Sequence, residues 1–277
     1  MLIHVRNVSH VYEPAGGTSV RALDGVSFSI DRGEYIAVVG ANGSGKTTLA
    51  KHLNGMLLPN AGEVVVDGRR TADPEASRQI RSTVGMVFQS PDDQLVATIV
   101  REDVAFGPEN LGVPEEELPG LVEDSLKQVG MWEERFRPPH QLSAGQKQRV
   151  ALAGVLAMRP RCIVLDEVTA MLDPVGAREV LRIVDNLHRN GMTVVSITHK
   201  MDEALRAERI LVMHEGRVAA DEPPAVLFAR PDLSRWNLAH PPVVALAAGL
   251  RARLPGLQES ILTAEELVSL LDKRRRA

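Results

Sequence analysis

The stretch that decides the fold is Gly40-Ala41-Asn42-Gly43-Ser44-Gly45-Lys46-Thr47. It follows the apolar run of residues 35–39 and precedes a helical pattern, which is the context of a phosphate-binding loop between strand and helix. Glycines let successive backbone N–H groups turn toward the β- and γ-phosphates of a nucleotide, at the positive end of the helix. The alternative is a glycine-rich turn that holds no ligand. The order of strand, loop and helix favours the nucleotide site.

Two side chains of this loop carry specific expectations. We expect Lys46 to place its charge beside the phosphates and the Thr47 hydroxyl to ligate Mg²⁺. The residues assigned to nucleotide binding at the loop are Gly40, Asn42, Gly43, Ser44, Gly45, Lys46, Thr47 and Thr48.

A second candidate site follows the apolar run of residues 162–165, which ends in Asp166 and Glu167. Successive side chains on a strand point to opposite faces, so the two carboxylates are expected to differ in role. We assign Asp166 to Mg²⁺ and Glu167 to the general base that polarises the attacking water. A solvated strand end is the alternative for this pair. His199 follows the apolar run 194–197 and is placed near the γ-phosphate, although a histidine at a strand end is often structural.

Short apolar runs punctuated by glycine alternate with helical patterns, which indicates an α/β fold. Strands are predicted at residues 3–5, 26–30, 35–39, 64–66, 84–88, 163–165, 194–197 and 210–213, and helices at 45–57, 119–129, 144–158, 177–188 and 201–207. The nearly continuous apolar character of 35–39, 163–165 and 194–197 predicts the central strands of a sheet that is covered on both faces. After about residue 221, several prolines precede amphipathic patterns at 243–254 and 263–271, which predict a small C-terminal appendage.

Composition excludes several classes of protein. The 277 residues include 32 basic and 36 acidic side chains, and this formal charge of -4 argues against nucleic acid as the main partner. The single cysteine, Cys162, excludes a disulfide framework and a four-cysteine zinc site, and it fits a reducing cytosol. The histidines His4, His10 and His52 show no metal-ligand spacing and are expected at the surface.

No targeting or membrane-spanning pattern is visible in the sequence. Polar and charged residues interrupt the N-terminal segment, so we expect a chain that is not exported. No window reaches the roughly 18 uncharged apolar residues that are needed to cross a bilayer. If the chain works at a membrane, we expect it to work as a peripheral subunit.

Residues 142–149, Leu-Ser-Ala-Gly-Gln-Lys-Gln-Arg, resemble the signature motif of the ATP-binding-cassette (ABC) ATPases. The remaining motifs of that family then appear in chain order, and the resemblance covers about residues 1–220. They are the aromatic Tyr12, Gln89 after the strand 84–88, the pair Asp166-Glu167, the pair Leu172-Asp173 and His199.

Within this family the sequence is most similar to the ATPases of energy-coupling factor (ECF) transporters. The similar segments are residues 88–95, 145–154, 171–174 and 261–267. The pair Lys147-Gln148 and Met171 indicate the first of the two paralogous ATPases in such complexes. Two residues depart from the family pattern. Ala144 replaces a glycine, and alanine is well tolerated at the first position of a helix. Ser90 replaces an asparagine.

The resemblance implies a P-loop NTPase fold of the ABC type. Residues 1–220 would form the nucleotide-binding domain, with a RecA-like core, an antiparallel β subdomain and a helical subdomain at about 90–158. Residues 221–277 would form a C-terminal extension that adds to a dimer contact.

The resemblance also implies how the site works. Two ATP molecules bind between two head-to-tail subunits, so the signature residues Ser143, Gly145 and Gln146 would contact the nucleotide in the partner's P-loop. Tyr12 would stack on adenine, its alternative being an ordinary exposed aromatic. Gln89 would sense Mg²⁺ or the attacking water. The catalytic residues would be Gln89, Glu167 and His199, and the residues that hold Mg²⁺ would be Thr47, Gln89 and Asp166.

The implied function is that of an ATP-hydrolysing motor, with ATP and Mg²⁺, of an importer for a vitamin or for cobalt or nickel. The implied partners are a second ATPase subunit, a transmembrane coupling subunit and a substrate-binding membrane subunit, at the cytoplasmic face of the cell membrane. We hypothesise that Asp92, Asp93 and Gln94 receive basic residues of the coupling subunit, unless they form a solvated acidic turn. Other readings are a soluble ABC ATPase acting on ribosomes or DNA, and a nucleotide-dependent module without turnover. The sequence leaves open the cargo and whether the second ATPase is identical or a paralogue.

Overall fold

The computed structural model describes residues 1–13, 17–251 and 261–276, without the side chains of residues 274–276. Its strands form two sheets. The strands are β1 (Ile3–Tyr12), β2 (Val20–Ile30), β3 (Tyr35–Val39), β4 (Ala61–Val66), β5 (Arg69–Arg70), β6 (Val84–Val87), β7 (Cys162–Asp166), β8 (Thr193–Ile197), β9 (Arg209–His214) and β10 (Arg217–Glu222). The α-helices are α1 (Lys46–Leu53), α2 (Ser77–Thr83), α3 (Val100–Asn110), α4 (Leu118–Gln128), α5 (Ala144–Ala157), α6 (Pro174–Arg189), α7 (Met201–Ala204), α8 (Pro224–Leu227), α9 (Pro242–Arg251) and α10 (Ala264–Arg276).

The larger sheet has six strands in the order β10-β9-β3-β8-β7-β6, and only the β9–β10 pair is antiparallel. Strands β3, β8 and β7 are neighbours inside this sheet, and every one of their residues is buried. The prediction of three central strands from continuous apolar runs is therefore confirmed.

Parallel pairing brings the carboxyl ends of β3, β6, β7 and β8 to one edge of the sheet. In the ladder, Ile197 at the end of β8 pairs with Val38 of β3 on one side and with Asp166 of β7 on the other. The segments that follow these strands therefore begin at the same level, which is where ligands bind in open α/β sheets.

The smaller sheet is antiparallel, with the order β2-β1-β4-β5. Along β2, Val26, Phe28 and Ile30 are buried while Ser27 is exposed, so one face of this strand packs against the core. The sheet brings the end of β1 to the start of β2, where Tyr12 pairs with Val20.

Several predicted helix bounds need correction. Helix α1 ends at Leu53 and not near residue 57, because Asn54 caps it and Gly55 has a φ of +70°. Helix α7 ends at Ala204 rather than at 207. Of the predicted helix 243–254, residues 252–254 lie outside the described residues, and the remainder falls within α9.

Two apolar clusters cover the two faces of the six-stranded sheet. Strand β3 shows the division, since Tyr35, Ala37 and Val39 face one cluster and Ile36 and Val38 face the other. Among the described residues, none of the helices combines the length and the apolar character that a bilayer span requires.

The segment after residue 221 is built into the core. Leu227, Phe228, Trp236, Leu238 and Val244 belong to the same cluster as one face of β3. Helices α9 and α10 share a small cluster of their own. Removing the first part of this extension would therefore expose the main core.

We predict opposite effects of alanine at two glycines of this fold. A Cβ at Gly85 in β6 would lie 2.3 Å from Cγ1 of Val155 in α5, whereas a Cβ at Gly120 in α4 has no atom within 4 Å. Gly85→Ala should lower the free energy of unfolding by roughly 1–3 kcal/mol through overpacking. Gly120→Ala should raise it by roughly 0.5–1 kcal/mol because alanine favours the helix. Chemical denaturation followed by circular dichroism measures both, and a shift of the same sign would contradict the packing described.

Candidate functional site

The loop between β3 and α1 requires glycine at defined positions. Gly40, Gly43 and Gly45 have φ angles of +153°, +78° and +101°. A Cβ at Gly40 would lie 2.2 Å from the carbonyl oxygen of Met213, and one at Gly45 would lie 2.4 Å from that of Ala22. Both backbone conformation and close contact therefore exclude larger residues.

The same loop holds a cation and an unpartnered hydroxyl. The Nζ of Lys46 donates to the carbonyl oxygens of Gly40 and Ala41 at 2.9 and 3.0 Å, so the side chain folds back over its own loop. Burial lowers the pKa of Lys46, against the opposing effect of Glu167 and then Asp166. The Ser44 hydroxyl is buried without a hydrogen-bond partner. An unpartnered donor beside a buried cation fits a phosphate ligand.

Asp166 lies at the end of β7 and faces α1. Its Oδ1 accepts a hydrogen bond from the Thr47 hydroxyl at 3.2 Å. Burial raises the pKa of Asp166, and the bond from Thr47 opposes that shift. A hydroxyl and a carboxylate at this distance fit Mg²⁺, which uses one or two protein oxygens together with water and phosphate oxygens.

Glu167 has a different environment from its neighbour. Its φ is +50°, which is rare for a non-glycine residue, and its N–H donates to the carbonyl oxygen of Ile197 at 3.0 Å. Its Oε2 lies 3.4 Å from Nδ1 of His199. The structure thus pairs one carboxylate with Thr47 and the other with His199, and both carboxylates have the distinct surroundings expected of them.

Two adjoining cavities contain most of the predicted site. The first, of about 510 Å³, is lined by Tyr12, Val20, Arg21, Ala22, Asn42, Gly43, Gly45, Lys46, Thr47, Thr48, Gln89 and Glu167. The second, of about 760 Å³, is lined by Gly40, Ala41, Asn42, Gln89, Glu167, Ala170, His199, Met201, Asn237, Leu238, Ala239, His240 and Pro242. Asn42, Gln89 and Glu167 line both cavities. Residues 237–242 come from the extension, and sequence reasoning missed their place here.

Tyr12 stands at the rim of the first cavity with its ring half-exposed. Its hydroxyl lies 3.2 Å from Oγ1 of Thr48, and the His10 ring packs edge-on against it with centroids 4.6 Å apart. His52 packs in turn on His10 at 4.8 Å. His10 and His52 are buried, so the expectation of surface histidines was wrong for both: they support the Tyr12 ring instead.

The signature residues lie outside the linings of these two cavities. Ser143 caps α5: its hydroxyl accepts from the N–H of Gln146, and the Gln146 side chain accepts from the N–H of Ser143, which forms a capping box. A Cβ added at Gly145 would lie 3.4 Å from Cα of Gly176, near the start of α6. Asp173 caps α6 by accepting from the N–H of Gly176, and this bond is the largest of the effects that lower its pKa. Two helix N-termini are therefore adjacent and bear positive partial charge.

Comparison with known proteins identifies the family. A family profile described as ABC transporter matches residues 23–170. The energy-coupling factor transporter ATP-binding protein EcfA1 of Symbiobacterium thermophilum is 54% identical over 275 residues, covering 97% of this chain and 96% of that protein. The protein of the same name from Caldanaerobacter subterraneus subsp. tengcongensis is 48% identical and covers 98% of both. This chain belongs to the ATP-binding subunits of energy-coupling factor ABC transporters.

Solved structures agree with this family. The structure of cbiO1 from Clostridium perfringens, described as part of the ABC transporter complex cbiONQ, matches with a TM-score of 0.75 at 35% identity, covering 92% of this chain and 96% of that one. A dimeric ATP-binding cassette, MJ0796, in a post-hydrolysis state bound to ADP and phosphate, matches with a TM-score of 0.73 at 30% identity, covering 80% of this chain and 99% of that one. The predicted ABC ATPase fold is confirmed, and the chain is an ATPase of the kind that is coupled to transport.

We predict that Tyr12→Ala weakens nucleotide binding while Tyr12→Phe largely preserves it. Loss of stacking should raise the Kd for ATP roughly 5- to 150-fold, because base–aromatic stacking contributes about 1–3 kcal/mol. The phenylalanine variant loses only the contact with Thr48 and keeps the ring. Isothermal titration with the Glu167→Gln chain as the common background measures both, and an alanine variant of unchanged affinity would show that Tyr12 does not stack on the base.

Proposed function

We propose that this ATPase binds ATP in the cavity beside the phosphate-binding loop and hydrolyses it to ADP and phosphate with Glu167 as general base. The observation that supports this is the convergence of four loops on one cleft. The loops after β3, β6, β7 and β8 contribute the phosphate-binding glycines, Gln89, Glu167 and His199 to adjoining cavities.

The phosphates of ATP lie against the loop of residues 40–47. Its glycines expose backbone N–H groups at the start of α1, and Lys46 and the Ser44 hydroxyl supply further donors. Thr48 lies one residue beyond and lines the same cavity. Tyr12 stacks on adenine at the rim.

Thr47, Asp166 and Gln89 are the residues that would hold Mg²⁺. The bound ion would neutralise charge on the phosphate oxygens. Thr47 and Asp166 are already 3.2 Å apart in the fold, and Gln89 lines the same cleft from the end of β6.

Glu167 accepts a proton from the attacking water. As the new bond from water oxygen to the γ-phosphorus forms, the bond to the bridging oxygen breaks and the electron pair leaves with ADP. His199 orients the carboxylate through the contact at 3.4 Å, and its half-exposed ring faces the cavity where the γ-phosphate would lie. The backbone strain at Glu167 is consistent with a side chain that is held for chemistry.

We predict that Glu167→Gln lowers kcat for ATP hydrolysis by roughly 10²- to 10⁴-fold, which is the usual contribution of a general base. The Kd for ATP should change only a few-fold, because the amide keeps the shape of the side chain. Glu208→Gln is the matched control, since Glu208 also faces a histidine, His188 at 3.5 Å, but lies on neither cavity. Phosphate release by the chain alone and after assembly with its partner subunits measures the effect, and activity that survives in the glutamine variant would refute the assignment.

The signature residues serve a second ATPase subunit. Ser143 is exposed at the positive end of α5, outside the linings of this chain's own two cavities, and the start of α5 lies beside the start of α6. The dimeric structure of MJ0796 supports a pair of ATPase subunits. We propose that the pair is head-to-tail, so that Ser143, Gly145 and Gln146 meet the partner's nucleotide. The second subunit is an identical copy of this chain or a paralogue.

The C-terminal extension contributes to this dimer contact at the nucleotide cleft. Residues 237–240 and Pro242 form a wall of the second cavity, which Gly40 and Asn42 also line. The buried Trp236 fixes the preceding turn, and Asn237 has a φ of +55° that redirects the chain along the wall. A cavity of about 760 Å³ beside the hydrolytic residues is large enough to receive a segment of the second subunit.

We predict that Ala239→Arg weakens ATP-dependent association with the second ATPase subunit by at least tenfold, because the exposed wall would carry a bulky cation into the contact. ATP binding by the single chain should stay within a few-fold. Val226→Arg is the matched control, since Val226 is an exposed residue of α8 that lies on neither cavity. Sedimentation or light scattering in the Glu167→Gln background measures association, and equal association of the two variants would remove the wall from the contact.

The relatives named as ECF transporter ATP-binding proteins support a role in a transporter. We propose further that this transporter imports a vitamin, cobalt or nickel. The chain then works as a peripheral motor at the cytoplasmic face of the cell membrane, with a transmembrane coupling subunit and a substrate-binding membrane subunit. The cargo is selected by the latter. Uptake of labelled vitamins, cobalt and nickel by cells that carry the Glu167→Gln variant identifies the cargo. Unchanged uptake of all of these would contradict the role in an importer.

The three residues proposed to contact the coupling subunit differ in the contacts that they already make within this chain. Lys147 holds Asp92 at 2.6 Å, and the amide of Gln94 is engaged with the backbone at Phe88 and Ala151. Asp92 and Asp93 are both exposed, and because Asp92 already pairs with Lys147, we propose that Asp93 is the first to receive a basic side chain.

A further inference from the structure

A buried carboxylate lies behind the hydrolytic residues. Glu203 in α7 is 8% exposed and lines neither of the two cavities. Its Oε1 accepts a hydrogen bond from the Thr169 hydroxyl at 2.6 Å, and its Oε2 accepts one from the Thr198 hydroxyl at 3.0 Å. Both threonines are almost fully buried. One carboxylate therefore joins the segment after β7 to the segment after β8.

Lys200 closes these contacts into a ring. Its Nζ donates to the Thr169 hydroxyl at 3.3 Å and lies 3.2 Å from Oε1 of Glu203. Its backbone N–H donates to the Thr198 hydroxyl at 3.0 Å. Each threonine hydroxyl thus accepts one hydrogen bond and donates another. A polar network whose members are satisfied in this way holds them in one arrangement.

The ring adjoins both residues of the hydrolytic contact. Thr198 immediately precedes His199. Thr169 lies two residues after Glu167, and the N–H of Ala170 donates to the carbonyl oxygen of Glu167 at 2.9 Å, which closes a tight turn over residues 167–170. The ring therefore fixes the backbone on both sides of the 3.4 Å contact between Glu167 and His199.

Stability alone does not account for a carboxylate at this position. Met201 and Ala204 of the same helix belong to the larger apolar core. Burying a charged group costs free energy, and an apolar residue of similar volume is often equally stabilising or more so. An apolar side chain cannot supply two acceptors that hold two loops at once. That is the contribution specific to Glu203.

We propose that Glu203 is a positioning residue, which holds Glu167 and His199 in the geometry for hydrolysis by binding Thr169 and Thr198 together. This inference rests on the proposed function, in which Glu167 is the general base. Because Glu203 lines neither cavity, it acts on the rate of the chemical step and not on the binding of ATP.

Glu203→Met removes both acceptors and keeps the length of the side chain. It should lower kcat for ATP hydrolysis roughly 10- to 100-fold, because a misplacement of about 1 Å can cost as much. KM should stay within about threefold, since ground-state binding is unchanged. Glu203→Gln keeps one acceptor and should lose less. Phosphate release by the chain assembled with its partner subunits measures both constants, and a paralogous second ATPase would carry a change of its own general base in every preparation.

Glu34→Met is the matched control. Glu34 also holds two partners, since its Oε1 lies 2.6 Å from Nη1 of Arg209 and its Oε2 accepts from the N–H of Asp31 at 2.8 Å. It precedes β3 and so lies at the opposite end of that strand from the phosphate loop. Its loss should leave kcat within about twofold of the parent. Chemical denaturation followed by circular dichroism shows which variants are folded.

A second background separates positioning from general damage. In the Glu167→Gln chain, Glu203→Met should lower the residual hydrolysis of radiolabelled ATP by less than about twofold, because no base remains to be positioned. General damage would cost the same factor in both backgrounds.

Thr169→Val and Thr198→Val each remove one of the two ties. Each should lower kcat by less than Glu203→Met, and the double variant should match it. Measured in the same two backgrounds, the threonine variants decide the question if Glu203→Met does not fold.

Two results would overturn the proposal: a folded Glu203→Met chain or threonine double variant that keeps the parent kcat, or an equal fold-loss with and without Glu167. Failure of the proposed function gives a different result. Full hydrolysis by the Glu167→Gln chain itself would contradict the assignment of the base, whatever the Glu203 variants do.

Discussion

The parallel hydrogen-bond ladder of β6-β7-β8-β3 is the constraint on which the site depends. Because Ile197 pairs with both Val38 and Asp166, the segments that follow these strands begin at one level of the sheet. The phosphate loop, Gln89, the two carboxylates and His199 come from positions far apart in the chain, and the ladder alone brings them to one edge. A one-residue slip in any of these strands would turn its side chains to the opposite face and separate the carboxylate of Asp166 from Thr47.

The sequence predicted those elements of the fold whose pattern lies within a short stretch of residues. The phosphate loop and the central strands were predicted because glycine spacing and continuous apolar runs are local patterns. Helix α3 was missed because Gly107 and Pro108 interrupt its pattern, and Pro108 lacks the N–H that would continue the backbone hydrogen bonds of the helix. Strand β10 was missed because an edge strand with alternating exposure carries little apolar signal.

Sequence patterns named residues for the candidate site but did not predict which other side chains surround them. Asp166 and Glu167 were given different roles from strand alternation, and the structure gives them different neighbours. The wall of residues 237–242 and the support of Tyr12 by His10 and His52 were not predicted, because contacts between polar residues distant in sequence leave no periodic trace. Isolated histidines near an aromatic residue were the one available hint, since His10 and Tyr12 lie on the same strand, two positions apart and on one face.

Apolar packing fixes most of helix α5, and polar contacts are found at its first turns. Residues 150–157 are buried except for Gly154, so the body of the helix cannot slide without opening the core. Its first turn, by contrast, is exposed at Ser143 and Ala144 and has few apolar contacts to set its direction. Surface ion pairs contribute little to stability, commonly about 0–1 kcal/mol, so the pair of Lys147 with Asp92 adds little to the fold. The packed body of the helix therefore sets the direction of the first turn, because an α-helix is stiff over one turn, and with it the place of Ser143.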